Sequence, residues 1–174
     1  MSDTLITIVA IFLGAILMFI FPLMAVSDSQ EGIAQTAVQS LVSDFANSSA
    51  TQGKITLENY DTFIQRLHAT GNTYSVEIEH QVLDENPGKK TMLTSKDAVG
   101  ENIYYSVYTN TIINNVEGVN QEHLLKKGDY LIVTVKNTNT TIASQVKNFF
   151  YKIVGSDTYT IAGSASVLVV NTGS

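Results

Sequence analysis

The chain has 174 residues, a formal net charge of −6, no cysteine and no tryptophan. Without cysteine there is no disulfide framework, thiolate zinc site or thiol nucleophile. The ten Lys and Arg residues are scattered, so the clustered basic face that nucleic acid requires is missing. The doublets Lys89-Lys90 and Lys126-Lys127 adjoin the turn signals Pro87-Gly88 and Gly128-Asp129 and read as solvated loops.

From Thr4 to Val26 the chain carries no charged side chain, and a bilayer's hydrocarbon core asks about 20 such residues of a helix. Such a segment can serve as a secretion signal, a membrane anchor or the packing spine of a filament. A signal needs a positive start and a short apolar core. Here Met1-Ser2-Asp3 supplies an acid and the run is longer, which makes a signal the weakest of the three. Neither flank has Lys or Arg before Lys54, so charge does not orient the segment across a membrane.

Beyond Pro22 and the polar patch Ser27-Asp28-Ser29, apolar residues recur at Ile33, Ala37/Val38, Leu41/Val42 and Phe45, with Gln35, Gln39, Ser43 and Asp44 on the other side. That spacing predicts one long helix to about Ser49, apolar all round in its first half and amphipathic in its second. Pro22 removes a backbone donor and can bend it. The chain thus divides into a helical unit, residues 1–52, and a head, residues 53–174.

In the head, Ile55-Thr56-Leu57-Glu58 opens a second helix with Thr56 as its cap, and Leu57, Tyr60, Phe63, Ile64 and Leu67 form its buried stripe. Gly71-Asn72 ends it. Thr73 to Val82 alternates apolar and polar residues, a half-buried strand. Asp84 to Glu101 is a polar loop. A short helix is expected over Thr111 to Val116, a turn over Leu124 to Asp129 and a strand over Tyr130 to Val135. Helical spacing returns over Thr140 to Val154, and Thr158 to Val170 is a last strand, broken or bulged near Gly163. The expected fold is α+β: a long N-terminal hydrophobic and amphipathic helix with a small antiparallel sheet head and short helices.

No motif for catalysis emerges. His68, His80 and His123 are too dispersed for metal-ligand spacing, and His80, on the apolar side of its strand, reads as a core histidine with its hydrogen bonds satisfied. Ser164 lies in Gly163-Ser164-Ala165-Ser166, which lacks the nucleophile-elbow pattern. Asp84, Glu85, Asp97 and Glu101 match no calcium loop. Asn47-Ser48-Ser49 and Asn139-Thr140-Thr141 match the glycosylation tripeptide, common by chance in so Asn-, Ser- and Thr-rich a chain. No enzyme activity and no cofactor is expected.

An apolar N-terminal helix with Pro22 near its middle, an amphipathic continuation and a small sheet head resembles the type IV pilin superfamily. The TadE-like pilins and pseudopilins of tight-adherence systems look closest. Leu124 to Lys136, LLKKGDYLIVTVK, and Tyr159 to Val167, YTIAGSASV, are similar in style to parts of those heads. The resemblance implies a structural subunit of a Tad-like filament. It would insert in the membrane first and then assemble at the cell surface by helix packing, with copies of itself and a pilus assembly machinery as partners. The alternative is a minor pseudopilin or a membrane-anchored accessory or binding protein of a secretion or conjugation machine. The chain departs from the family in having Leu5 where pilins carry a glutamate, and Asp3 as the nearest acid. Under this reading Asp3 either pairs with the α-amino group of a neighbouring Met1 or sits in the headgroup region, and Gly14, with Ala10 and Ala15, either lets helices approach or loosens the helix. Pro22, Ile33, Leu41 and Phe45 complete the set expected to serve assembly.

Overall fold

The computed structural model describes residues 2–84, 104–139, 152 and 160–173. One helix, α1, runs from Ser2 to Gln52 with Pro22 inside it. Among the described residues no helix is long and apolar enough to cross a membrane. This corrects the expected membrane-length apolar spine of the α+β fold. The fold that remains is mixed helix and sheet.

Among the described residues α1 is followed by β1 (Lys54–Thr56), α2 (Leu57–His68), β2 (Tyr74–Leu83), β3 (Tyr104–Tyr108), α3 (Thr109–Val116), β4 (Glu122–Leu124), β5 (Tyr130–Asn137) and β6 (Ala162–Leu168). Four strands form an antiparallel sheet in the order β3-β2-β5-β6, and β1 pairs with β4 in a separate two-stranded ladder. Ile78, Val133 and Ala165 stand in one row across β2, β5 and β6. The alternation along β2 and β5 turns Ile78, Leu131, Val133 and Val135 onto one face. There they join Val38, Val42, Phe45, Ala46 and Ala50 of α1 in a single buried cluster. The core is therefore the C-terminal half of α1 laid on the sheet.

Gly163 fixes how close that helix lies. It pairs in register with Val135, so the strand is neither broken nor bulged there, contrary to the expectation from sequence. A Cβ at Gly163 would come within 3.1 Å of both Val38 Cγ1 and Val42 Cγ2, and 3.3 Å of the Val38 carbonyl oxygen. The glycine makes room for the helix.

Two glutamines on α1 then close the free edge of β6. Gln35 donates from Nε2 to the Ala162 carbonyl at 2.5 Å and accepts the Ala162 N–H at 2.9 Å. Gln39, one turn on, does the same at Ser164, at 3.0 and 3.3 Å. Residues i and i+4 on a helix are neighbours, and residues i and i+2 on a strand turn their backbone groups to the same edge. The two primary amides therefore stand where a further strand's peptide groups would stand, which protects the edge.

Around this core, α2 begins at Leu57 with Thr56 Oγ1 accepting the Asn59 N–H at 3.2 Å. Thr56 caps as expected, while Ile55 belongs to β1 rather than to the helix. α3 begins at Thr109, two residues earlier than the periodicity suggests. The Thr109 hydroxyl accepts from the Ile78 N–H at 2.7 Å and donates to the Ile78 carbonyl at 3.1 Å, pinning the start of α3 to β2. Gly53 (φ 71) ends α1 in the left-handed region. A Cβ there would meet the Thr172 backbone at 2.7 Å, because residues 169–173 run alongside: Gly173 N–H bonds the Leu125 carbonyl and Leu125 N–H bonds the Gly53 carbonyl. The expected helix Thr140 to Val154, and the loop beyond Asp84 up to Glu101, lie outside the described residues apart from Lys152.

Candidate functional site

Two features of the molecule are out of the ordinary for a small domain: the surface of α1 and a buried chain of polar side chains beneath α3.

In the first half of α1, the large apolar side chains that the structure describes are exposed, from Leu5, Ile6, Ile8 and Val9 through Ile11, Phe12 and Leu13 to Met18 and Phe19, with Leu17 alone among them half-buried. These residues occupy all sides of a helix, not one stripe. Each such side chain would gain about 1.5–3 kcal/mol on full burial. An unpartnered apolar surface of this extent marks an interaction site.

The residues expected to serve assembly divide between the two halves of α1. Asp3 lies in the first turn, its backbone carbonyl accepting from Thr7 Oγ1 at 2.7 Å. Leu5 is 66% exposed, Gly14 has no neighbouring atom within 4 Å of a notional Cβ, and Pro22 and Ile33 are exposed. Leu41 and Phe45, by contrast, belong to the head. Leu41 packs against the core cluster, and the Phe45 ring stacks on Phe63 of α2 with centroids 4.4 Å apart and planes 9° from parallel. These two seat the helix and leave little for a neighbour. Between α1 and α2, they border an open cleft of about 310 Å³ with Asp44 and Arg66 at its rim.

The second feature was not legible in the spacing of the histidines. β2, β4 and the turn before β5 bring together His80, His123 and Asp129, which are 4%, 8% and 1% exposed. Asp129 Oδ1 accepts the Leu83 N–H at 2.9 Å, and Oδ2 accepts the Lys126 N–H at 2.8 Å. His80 Nε2 lies 2.8 Å from the same Oδ2. On its other side His80 Nδ1 lies 2.9 Å from His123 Nε2, and His123 Nδ1 lies 3.0 Å from the Asn115 side-chain amide on α3. The two rings meet edge to face, 88° apart.

These partners assign the protons. Asp129 is the acceptor, so His80 carries its proton on Nε2 and presents a bare Nδ1. His123 must then donate from Nε2, and its bare Nδ1 accepts from Asn115 Nδ2. Asn115, His123, His80 and Asp129 form one line of hydrogen bonds running in one direction, every ring nitrogen used. His80 is thus the satisfied core histidine that its strand position implies. His68 stands apart and exposed at the end of α2. Among the described residues no group of three or more His, Asp or Glu is arranged to hold a metal ion.

His123 forms one wall of a shallow depression of about 340 Å³, shared with Asn114, Asn115, Asn120 and Glu122. Burial, and next the nearby His80, hold the His123 pKa down at about 4, with the Asp129 charge pulling the other way. On the sheet, Glu79 sits below the usual carboxylate range because Ser106 Oγ and Gln81 Nε2 donate to it, at 2.6 and 3.0 Å. The Ser164 N–H and carbonyl are held by Gln39, and its hydroxyl lies 3.2 Å from Thr134 Oγ1. The Asn47-Ser48-Ser49 tripeptide lies within α1 with Ser49 fully buried, an unsuitable setting for an acceptor loop. Of the acidic residues weighed for calcium, Asp84 alone lies among the described residues.

No family model matches the chain, and no curated protein or solved structure matches it either.

Proposed function

We propose that the chain is a structural, non-enzymatic subunit of a type IV pilus-like, Tad-like filament, in which the first halves of α1 from many copies pack together and the heads face outward. The observation that carries this reading is the contrast along one helix. From Leu5 to Phe19 the described apolar side chains, Leu17 apart, are exposed on all sides, while from Val38 to Ala50 one apolar face of the same helix is buried against its own head. A helix apolar round its whole circumference needs neighbours on every side, and like helices in a bundle supply them. Dispersion and exclusion from water would hold such a core. The Asn-, Thr- and Ser-rich head, kept in register with the helix by Gln35 and Gln39, would form the outer surface.

The test is to purify the full chain in a mild detergent, withdraw the detergent, and examine the product by negative-stain electron microscopy and sedimentation. Filaments or large helical bundles are expected, with Phe12→Glu preventing them. A wild-type chain that stays monomeric over a wide concentration range, or that is recovered only as monomers in phosphatidylglycerol–phosphatidylethanolamine vesicles, would overturn the reading in favour of an anchored accessory protein.

A further inference from the structure

The one-way line of hydrogen bonds under α3 has a consequence beyond holding the core together. Its direction is fixed at both ends. At one end the Asp129 carboxylate, held by the Leu83 and Lys126 N–H groups, can only accept. At the other the Asn115 amide nitrogen can only donate. Between them each imidazole must carry one proton, on Nε2. A line so defined leaves two ring nitrogens without a proton, Nδ1 of His80 and Nδ1 of His123, and of the two rings it is His123 that borders the depression beside α3. A proton added at His123 Nδ1 would bring an N–H to face the N–H of Asn115. The contact between α3 and β4 would change from attraction to repulsion.

We propose that His123 and His80 form an acid-sensitive latch that fastens the α3–β4 corner to the sheet and releases it when His123 takes up a proton. The charged and titratable groups around the latch favour neutrality of the His123 ring at ordinary pH. Asp129, from the turn before β5, spends its charge on His80 and two peptide N–H groups. Glu122 on β4 is paired with Lys54 on β1 at 3.2 Å. Glu117, at the end of α3, acts with Asp61 on Tyr60 of α2, whose pKa is raised by burial first and then by these two charges. Among the described residues no carboxylate bonds His123 directly, and the Asp129 charge, reaching it only across His80, offsets less than burial and the neighbouring ring cost.

The sign follows from linkage. In the unfolded chain a histidine takes up its proton near the ordinary value of 6.5, whereas in the folded chain His123 resists until about 4. The unfolded state therefore binds more protons between those values, and stability falls as the pH falls from about 6.5 to about 4, then levels off. The span corresponds to a loss of roughly three hundredfold in the folded-to-unfolded ratio. The loss need not reach global unfolding, because the corner can open locally.

The experiment follows the imidazole nitrogens of the full chain in detergent by long-range proton–nitrogen NMR from pH 7.5 to 4, alongside amide hydrogen exchange corrected for its intrinsic pH dependence. Expected are an unprotonated Nδ1 on His123 at neutral pH, and a tenfold or greater loss of protection over Thr109–Val116 and Glu122–Leu124 on acidification, with the centre of β5 retained. His123→Gln should abolish the pH dependence of that protection, and where this variant does not fold, the wild-type nitrogen shifts decide. A His123 that titrates near 6.5, or protection of α3 and β4 that survives protonation of His123 because Asn115 turns its amide round, would overturn the proposal.

Discussion

The two halves of α1 are made of similar residues and meet opposite fates. Val42 is fully buried while Phe12 is 69% exposed, although both are large apolar side chains on one continuous helix. What separates them is the presence of a sheet. The second half has a partner inside the chain, with Gly163 giving it clearance and two glutamines tying it down. The first half has none among the described residues. Burial inside the chain stabilises the monomer, and burial between chains stabilises only the assembly, so the same substitution should act on different quantities in the two halves.

The sharpest way to break that comparison is a charge in each half. Val42→Asp would place an unpaired carboxylate in the core and should cost the head more than about 4 kcal/mol, enough to prevent folding at ordinary temperatures. Phe12→Asp should change the head's unfolding free energy by no more than about 0.5 kcal/mol in denaturant titrations while abolishing assembly in sedimentation. Equal effects of the two on head stability would mean that the first half also packs within the chain.

Glycines give a second pair. Gly163→Val would drive its side chain into Val38 and Val42, on two turns of α1 that cannot both retreat from β6, and should cost about 1–3 kcal/mol by thermal denaturation. Gly14→Ala meets nothing within 4 Å in the monomer and should raise local helix stability by up to about 1 kcal/mol. If Gly14 serves close approach between copies, the same change will weaken assembly while leaving the isolated chain more helical by circular dichroism.

The glutamine clamp should yield a smaller effect. Gln35→Ala or Gln39→Ala leaves both the N–H and the carbonyl of one β6 residue without their side-chain partner, at about 1 kcal/mol per lost hydrogen bond at most. Hydrogen exchange should quicken at Ala162 and Ser164 respectively, with the β2–β5 ladder unchanged. The double variant exposes an open edge, and concentration-dependent self-association of the heads would register it.

How much of this could be read from the chain depended on whether the signal was local. The strand Tyr74–Leu83 was legible because its period of two is written in adjacent residues, and Thr56 because a cap acts on the N–H three residues on. Gln35 and Gln39 were legible as polar positions on α1, but a pattern of polar side chains does not say whether they face water or a strand edge. Gly163 reads as a break in a strand until the helix above it is seen. The latch was illegible: His80 stands 43 residues from His123 and 49 from Asp129, and β4, only three residues long, carries too little pattern to predict the pairing Ile55↔His123 that aligns it. The membrane-length spine, read from an unbroken apolar run in the sequence, is the expectation that failed.

The smallest effect on folding, and the most specific to assembly, is expected at Asp3. It lies in the first turn of α1, where a carboxylate interacts favourably with the positive end of the helix dipole by about 0.3–1 kcal/mol. That contribution belongs to the free chain. In a packed core the same carboxylate would be removed from water and would need a cation, and a neighbouring chain's α-amino group would provide one. Asp3→Asn separates the two roles, since it keeps the shape and removes the charge. Head stability should be unchanged in denaturant titrations, while the critical concentration for assembly should rise several-fold, more at low than at high salt if the pairing is exposed to the solvent. An unchanged critical concentration would assign Asp3 to the dipole alone and leave the cohesion of the first half of α1 to its apolar side chains.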